Sequence, residues 1–343
     1  MKIYTKCSPN IVSKLHNLGL ETTTNIDSDF DYTLLISHAE QQIMLNYANM
    51  NSKSDVSYFI PDKWYLHNLL VDNGFDHIPT IFPQSIDEII AFFNTHNPVY
   101  VKPRIGFSNN KKMPYHYTKY TDLDTLIADL SSDEVLNIQQ SDHSEEFQII
   151  IQKDVSTDDI LTCGRATGFV TVNGECNFSV TKPHSVSNGR VSYYGPIEPV
   201  GKCTQYAARE FITRFISTIG WHGSFFHIEY VIENDKFYIT DVSNVIQKYL
   251  LLFDDKPYFE DALKYMYGIS DVNNSPITMY SIIADIEIPS GMTRELAGYL
   301  DQIGKRKSLS RLGDKGTMLY LRGETADECY EKLTQVIDYV NNI

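Results

Sequence analysis

The stretch Pro98-Val-Tyr-Val-Lys-Pro103 decides how the rest of this chain is interpreted, because it places a charged side chain inside a short apolar segment. Apolar residues bounded by prolines predict a strand. In such a strand Lys102 either points a compact cation at phosphate oxygens or runs along a sheet edge until its ammonium reaches water. The polar segment that follows, Gly106-Phe-Ser-Asn-Asn-Lys-Lys112, predicts a loop with two further cations.

Two predicted helices precede this strand. Apolar residues recur at helical spacing over Pro61–Asn73, and Asn73-Gly74 supplies a stop signal. Ser85 and Glu88 have the spacing of a capping box, which predicts a helix through about Asn94. The strand with Lys102 is therefore expected to lie in a mixed unit of helices and strands.

The other predicted elements divide the chain into an α/β start, an antiparallel middle and an α/β tail. Asn173-Gly174 predicts a hairpin turn in the middle section. The predicted strands are Tyr32–Ser37, Ile78–Pro83, Phe147–Val155, Ile160–Ala166, Phe169–Val172, Asn177–Thr181, Ser224–Ile232, Lys236–Val242, Tyr280–Ile288 and Thr317–Leu321, and the predicted helices are Pro9–Leu18, Asp122–Leu130, Thr204–Ile219, Thr293–Ile303 and Thr325–Asn341.

Two carboxylates lie on the last pair of strands in the middle section. Glu229 and Asp241 are twelve residues apart, and Glu233-Asn-Asp235 predicts the turn between their strands. This spacing allows both side chains to lie side by side. Paired carboxylate oxygens can hold Mg²⁺ ions that bridge phosphates.

The composition limits the partners and the compartment. At roughly 150 residues per domain, 343 residues predict two to three domains. A net charge of −15 disfavours nucleic acid and membrane surfaces as partners. Five cysteines without a C-x-x-C pair predict neither a disulfide framework nor a zinc knuckle. Because no long apolar segment occurs, we expect a cytoplasmic protein.

Common nucleotide-binding and hydrolytic motifs do not occur in the sequence. There is no G-x-G-x-x-G, and around Gly201-Lys202 the chain has Pro196 and Cys203 where a P-loop needs Gly and Ser or Thr. G-x-S-x-G and H-E-x-x-H are also missing, which excludes the usual lipase-like and zinc-protease sites. A phosphorylated ligand would need individual lysines and a metal focused in one cleft.

The order of the candidate residues resembles that of the ATP-grasp superfamily, which includes D-alanine ligase, biotin carboxylase and glutathione synthetase. The resemblance covers about Pro61 to Asn244. It implies an α/β fold with α+β lobes, namely the ATP-grasp fold with a Rossmann-like N-terminal unit and a small C-terminal α/β segment. The implied domains are 1–60, 61–275 (lobes of about 61–155 and 156–275) and 276–343.

By this resemblance, two lysines would contact the phosphates of ATP. Lys63 follows Asp62 at a helix start, as in the family, although the pair also suits an ordinary capped and solvated helix start. Lys102 matches the family's strand lysine. The segment Gly106–Lys112 takes the place of the glycine-rich phosphate-covering loop, with fewer glycines than usual.

The resemblance also implies positions for adenine and ribose. Gln152 would accept a hydrogen bond from the adenine amino group, and the backbone from Lys153 to Val155 would bind the ring edge. Asp159, or Asp158 as the near alternative, would bind the ribose hydroxyls. Both aspartates also suit a turn.

The implied Mg²⁺ or Mn²⁺ ligands are Glu229, Asp241 and Ser243. The family usually ends this pair with Glu-x-Asn and a basic residue, whereas this chain reads Asp241-Val-Ser-Asn-Val245. A shorter carboxylate and a neutral hydroxyl can still bind magnesium, but the departure puts a second metal in doubt.

Further catalytic and substrate positions follow from the resemblance. His227 occupies the place of an arginine over the transferred group, or else is a hydrogen-bonded hairpin residue. Arg165 would reach phosphate or a substrate carboxylate. His184 and Arg190 lie where such enzymes build substrate pockets.

The implied activity is that of an ATP-dependent carboxylate–amine ligase. Such an enzyme forms an acylphosphate that an amine attacks, so an amide or peptide-type bond forms and ADP and phosphate leave. The expected partners are a small, amino-acid-like carboxylate and an amine, and homodimers are common in the family. The alternatives are a weakened nucleotide-binding or regulatory protein and a kinase-like member that phosphorylates a hydroxyl.

Overall fold

The strands of the described part of the chain form four sheets. The computed structural model describes residues 1–7, 9–35, 44–45, 59–105, 118–130, 148–155, 163–181, 183–185, 191–197, 206–244, 257–270, 280–288, 291–308 and 316–342. Within these ranges, none of the helices combines the length and the apolar character needed to cross a membrane.

The N-terminal sheet is parallel, with the order β2-β1-β3. Helix α1 links its first two strands and buries Ile11 and Leu15 in a core shared with Phe225 and Tyr320 from later sheets. This agrees with the predicted α/β start. The elements are β1 (Lys2–Tyr4), α1 (Pro9–Asn17), β2 (Glu21–Thr23) and β3 (Tyr32–Thr33).

The second sheet, here called the lysine sheet, is antiparallel with the order β4-β7-β5-β6. Val99 and Val101 face a core formed with helices α3 and α4, so the side chains between and after them face the opposite side. Lys102 and Gln152 are on that opposite face. The elements are α2 (Lys63–Asp72), β4 (Thr80–Ile81), α3 (Ile86–His96), β5 (Val99–Pro103), β6 (Thr118–Tyr120), α4 (Leu123–Leu130) and β7 (Ile149–Lys153).

The third sheet, here called the carboxylate sheet, is antiparallel with the order β13-β12-β8-β9. Ala166, Ile228 and Val242 face a core with helices α2 and α5, which leaves Glu229 and Asp241 on the other face. The elements are β8 (Cys163–Val170), β9 (Cys176–Thr181), α5 (Tyr206–Thr218), β12 (Ser224–Glu233) and β13 (Lys236–Ser243).

The prediction of separate strands at Ile160–Ala166 and Phe169–Val172 is wrong, because β8 runs without a break from Cys163 to Val170. Gly168 permits close strand contact here instead of a turn. A Cβ atom at Gly168 would lie 2.0 Å from the carbonyl oxygen of Asn177 on β9.

The C-terminal sheet has the order β10-β11-β14-β16-β15. Strand β11 pairs with β14 although more than 80 residues separate them, so β10 and β11 share a sheet with the strands of the tail. Helices α7 and α8 cover one face, as Leu300 and Val336 show. The sequence analysis did not predict helix α6 or strands β2, β6, β10, β11 and β15. The elements are β10 (Pro183–Ser185), β11 (Val191–Ile197), α6 (Pro257–Met266), β14 (Tyr280–Glu287), α7 (Arg294–Ile303), β15 (Lys305–Ser308), β16 (Gly316–Gly323) and α8 (Ala326–Asn341).

Candidate active site

A cleft lies between the lysine sheet, the carboxylate sheet and helix α2. Its wall combines apolar side chains with a few polar ones, which is typical of small-molecule sites. The two lysines that the sequence singled out, Lys63 and Lys102, both line it. The lining residues are Lys63, Leu66, His67, Leu70, Ile78, Lys102, Ile150, Gln152, Ile239 and Thr240.

The charges of the two lysines act on each other inside this cleft. Burial and the positive charge of Lys63 lower the pKa of Lys102 to about 8, against the opposing effect of Asp241, Glu229 and Asp154. Lys63 is 7% exposed, which contradicts a solvated first-turn role. Two partly desolvated cations of like charge are an arrangement that a polyanion stabilises.

His67 adds a neutral group to the wall. Burial, with the charge of His77 as a second cause, lowers the pKa of His67 to about 4. Its ring stacks on Trp64 with 5.2 Å between the ring centroids. At neutral pH the positive charge of the cleft therefore comes from the lysines and not from His67.

Gln152 is hydrogen-bonded within the lysine sheet. Its Oε1 accepts from Nζ of Lys102 at 2.6 Å. Its Nε2 donates to the hydroxyl of Thr80 at 3.0 Å. The oxygen that the resemblance assigned to the adenine amino group is thus used by Lys102.

Three charged side chains form a row across the carboxylate sheet. Arg165, Glu229 and Asp241 are directly opposite one another on β8, β12 and β13. Nε of Arg165 lies 2.9 Å from Oε1 of Glu229. Burial opposes ionisation of Glu229, but the hydrogen bond from His227 and the charges of Arg165, His227 and Lys102 outweigh it and lower its pKa to about 2.

A β-bulge directs Asp241 into this row. The pairing shifts between Glu229 and Tyr230, which leaves Thr240 as an extra residue on β13. Without it, Ile239 and Asp241 would share a face. With it, Ile239 packs in the core and Asp241 faces the cleft side. Bulges redirect side chains in this way next to active sites.

A second row lies beside the first and contains His227. His227 is opposite Thr167 on β8 and Ser243 on β13. Its Nδ1 lies 2.6 Å from Oγ1 of Thr167, and its Nε2 lies 3.4 Å from Oε1 of Glu229. The histidine is therefore hydrogen-bonded on the sheet, as one of the two interpretations predicted, and both nitrogens are used. Ser243 is 2% exposed.

The donor set on this face suits a hard cation. Glu229 and Asp241 supply carboxylate oxygens from directly opposed positions, and the low pKa of Glu229 keeps it ionised. Oxygen ligands are those that Mg²⁺ prefers. Within the described residues, no group of three or more His, Cys, Asp and Glu side chains forms a metal-binding cluster. Phosphate oxygens would have to complete the coordination.

Sequence reasoning missed Arg104, which joins the two lysine-bearing elements. Its Nη2 lies 2.6 Å from Oδ2 of Asp62, and its Nη1 donates to Oε1 of Gln148 at 2.7 Å. Asp62 also caps α2 by accepting from the backbone of Trp64 and Tyr65. The sequence does contain a signal for this pair, because Asp62 directly precedes Lys63 and Arg104 lies two residues after Lys102.

Backbone hydrogen bonds hold the segment after Gln152 in place. The N–H of Lys153 donates to Pro79, and that of Asp154 donates to Pro98. Nζ of Lys153 lies 4.0 Å from Oε2 of Glu233 on the carboxylate sheet, so the end of β7 adjoins the β12–β13 hairpin. Val155 follows and is partly buried.

The remaining predicted positions are not brought into the cleft by the described structure. His184 lies in β10 of the C-terminal sheet, opposite Tyr193, and not in the carboxylate sheet. Asp158, Asp159, Arg190 and the segment Gly106–Lys112 lie outside the described residues.

The two facing sheets, their helices and the parallel N-terminal unit together define the ATP-grasp fold, and solved structures of similar shape agree over almost the whole chain. One is N5-carboxyaminoimidazole synthase from Aspergillus clavatus in complex with ADP and 5-aminoimidazole ribonucleotide, with a TM-score of 0.64, 12% identity, and coverage of 99% of this chain and 98% of that one. Another is an L-amino acid ligase from Bacillus licheniformis, with a TM-score of 0.61, 13% identity, and coverage of 98% and 96%.

A third similar structure is phosphoribosylglycinamide synthetase from Anaerococcus prevotii, with a TM-score of 0.56, 10% identity, and coverage of 98% of this chain and 97% of that one. No protein-family profile matches the sequence. No curated protein matches it either. At these identities the likeness establishes the fold, and the predicted ATP-grasp fold class is confirmed.

Proposed function

We propose that this protein is an ATP-dependent carboxylate–amine ligase that binds Mg·ATP in the cleft between the lysine and carboxylate sheets. The observation that carries the proposal is that Lys63 and Lys102 line a cleft beside the carboxylate sheet, on which Glu229 and Asp241 are directly opposed. Both carboxylates act on the Lys102 pKa. Cations from helix α2 and the lysine sheet, with carboxylates on the facing sheet, suit a phosphate chain bridged to metal.

In this proposal the chain acts by electrostatic positioning. Lys63 and Lys102 hold phosphate oxygens as the γ-phosphoryl group passes to a substrate carboxylate. Glu229 and Asp241 hold Mg²⁺, which when bound neutralises phosphate charge. An amine then attacks the acylphosphate, an amide forms, and phosphate leaves. No side chain of the protein needs to act as the nucleophile.

The residues around Glu229 and Asp241 would have supporting roles. Arg165 and His227 fix Glu229 from two sides and keep it ionised. The backbone from Lys153 to Val155 would bind the base, and Asp159 the ribose. Ser243 as a metal ligand, and His184 and Arg190 as substrate contacts, stay predictions.

The proposal is tested by the release of ADP. The protein is mixed with Mg·ATP and panels of amino acids and other small carboxylates with amines, and ADP and product mass are measured. The proposal expects ADP release that requires both partners and a product with the mass of an amide. A product that retains phosphate would identify a kinase instead.

A second candidate is a nucleotide-binding protein without transfer activity. It is favoured by the ion pair that Arg165 makes with Glu229, together with the Asp241-Val-Ser243 ending, because both weaken the metal site relative to the family pattern. Tight Mg·ATP binding without turnover across the whole panel would support this candidate.

We also propose the three-part division into residues 1–60, 61–275 and 276–343, a cytoplasmic location and a homodimer, with small molecules rather than nucleic acid or membrane as partners. The pairing of β11 with β14 means that the second and third parts would be joined through one sheet.

A further inference from the structure

We infer that Gln152 is a positioning residue that directs the ammonium of Lys102 at the phosphate chain. The inference rests on the proposed function and assigns a different task to a residue whose position in the fold suggested contact with adenine. It follows from the direction of a chain of hydrogen bonds within the lysine sheet.

The chemistry of the lysine sets that direction. A lysine ammonium has donors and no acceptor, so the Gln152 atom 2.6 Å from Nζ must be the amide oxygen. The amide nitrogen then faces Thr80 and donates to Oγ1 at 3.0 Å. The Thr80 hydroxyl in turn donates a hydrogen bond to the carbonyl oxygen of Ile78 at 2.8 Å.

The chain of bonds joins three neighbouring strands. Thr80 on β4 is opposite Gln152, and Gln152 is opposite Tyr100 on β5, two pairs away from Lys102 and on the same face. Thr80 is buried at 8% exposure, and its bond to Ile78 is local, so one end of the chain is anchored. Lys102, at the other end, faces the cleft.

The charges around Lys102 explain why such an anchor is useful. Lys63 repels the ammonium, whereas Glu229 and Asp241 attract it across the cleft. A lysine with a flexible four-carbon stem could be drawn onto those carboxylates. An acceptor on its own sheet retains it on the side where phosphate would lie.

An adenine amino group would compete for the same oxygen. It donates hydrogen bonds, and it would have to share Oε1 of Gln152 with the ammonium of Lys102, which takes one of the two lone pairs of that oxygen. The other group of the amide, Nε2, is a donor and does not complement an amino group.

The test separates phosphate binding from base binding with three probes: Mg·ATP, inorganic tripolyphosphate with Mg²⁺, and adenosine. Their dissociation constants are measured by titration calorimetry or ligand-observed NMR for the wild type, Gln152→Met and Thr80→Val. Gln84→Met, at an exposed glutamine before α3, is the control, and circular dichroism checks the fold. Both test substitutions conserve volume.

We expect Gln152→Met to weaken Mg·ATP and tripolyphosphate by about tenfold and to leave adenosine unchanged, because a hydrogen bond to a charged group is lost. Thr80→Val should weaken the same two probes by a smaller factor. Equal loss for adenosine and Mg·ATP, or no effect on tripolyphosphate, would overturn the inference. A wild type that binds no Mg·ATP would instead overturn the proposed function on which it rests.

Discussion

Lys102 lowers the stability of the ligand-free protein because the folded state holds its charge in an unfavourable place. The pKa of Lys102 is about 8 in the folded protein, against the ordinary value of 10.5 that applies to the unfolded chain. Below pH 8 the lysine is charged in both states and the destabilisation is complete. Between the two values the folded state sheds the proton first, so stability rises with pH.

We therefore expect Lys102→Met to raise the melting temperature at pH 7 by a few degrees, since about 1 kcal/mol corresponds to roughly 2–4 °C in proteins of 150–250 residues and to less in a longer chain. The gain should shrink between pH 8 and 10. Thermal unfolding at pH 7 and 9.5 measures it, with Lys236→Met as the control at a 56% exposed side chain. A variant less stable than the wild type at pH 7 would contradict the burial of this charge.

Glu229 has the opposite effect on stability, because its charged form stabilises the folded state. Its pKa falls from 4.5 to about 2 in the fold, so its contribution is complete above pH 4.5 and is lost as the pH falls toward 2. Glu229→Gln should cost about 1 kcal/mol at pH 7, a low value because the side chain is one-third exposed. Denaturant unfolding at pH 7 and pH 3 should show the difference shrinking; a constant difference would argue against ionisation as its cause.

At the scale of elements, the Asp62–Arg104 pair connects the start of α2 to the end of β5. The two side chains are 6% and 17% exposed, and Asp62 serves as helix cap and ion-pair partner at once. The N–H of Lys63 also donates to the carbonyl of Arg104. The relative placement of Lys63 and Lys102 depends on this junction.

Arg104→Met should cost about 3 kcal/mol in unfolding free energy, because it leaves a buried carboxylate without its ionic partner. Arg306→Met is a matched control: Arg306 also makes two contacts with one aspartate, Asp301, but that carboxylate is 52% exposed. It should cost about 0.5 kcal/mol. Equal costs in urea unfolding would show that the buried pair has no special role.

The β12–β13 hairpin gives the metal prediction its test. Asp241→Asn removes one carboxylate from the opposed pair. We expect the Mg²⁺ concentration for half-maximal Mg·ATP binding to rise roughly tenfold or more, because losing even supporting contacts of a metal site costs roughly 10- to 100-fold. Titrating Mg²⁺ at fixed ATP measures it. A curve superimposable on the wild type would remove Asp241 from the site.

Elements with strong local signals were predictable from sequence. The N-cap at Ser85 is present, since its hydroxyl accepts from the N–H of Glu88, although the Glu88 carboxylate accepts from the N–H of Gln84 and not of Ser85 as a capping box requires. The turn at Asn234 and Asp235, both with positive φ, lies where the turn was predicted. The bulge at Thr240 and the Asp62–Arg104 pair were not predictable, because each depends on partners distant in sequence.

At the scale of the whole molecule, the fold class followed from an ordered series of single residues, and the similar solved structures confirm it. The contacts among those residues could not be predicted from the sequence. Gln152 was expected to meet the base, yet it holds a lysine 50 residues away. Strands β10 and β11 were expected in the nucleotide-binding part, yet they lie in the sheet of the tail because antiparallel partners can be remote along the chain.

The net charge of −15 describes the whole molecule and does not describe the cleft. Two lysines, Lys63 and Lys102, lie together in this cleft. Acidic residues elsewhere do not prevent them from attracting a phosphate chain that carries its own metal.

The central claim is that Mg·ATP binds between the two sheets through Lys102, and calorimetric titration of Mg·ATP into the wild type, Lys102→Met and Lys236→Met tests it most directly. We predict saturable binding to the wild type and Lys236→Met, and a loss of at least tenfold in affinity for Lys102→Met while its fold is retained. Equal affinity in all three proteins would contradict the claim.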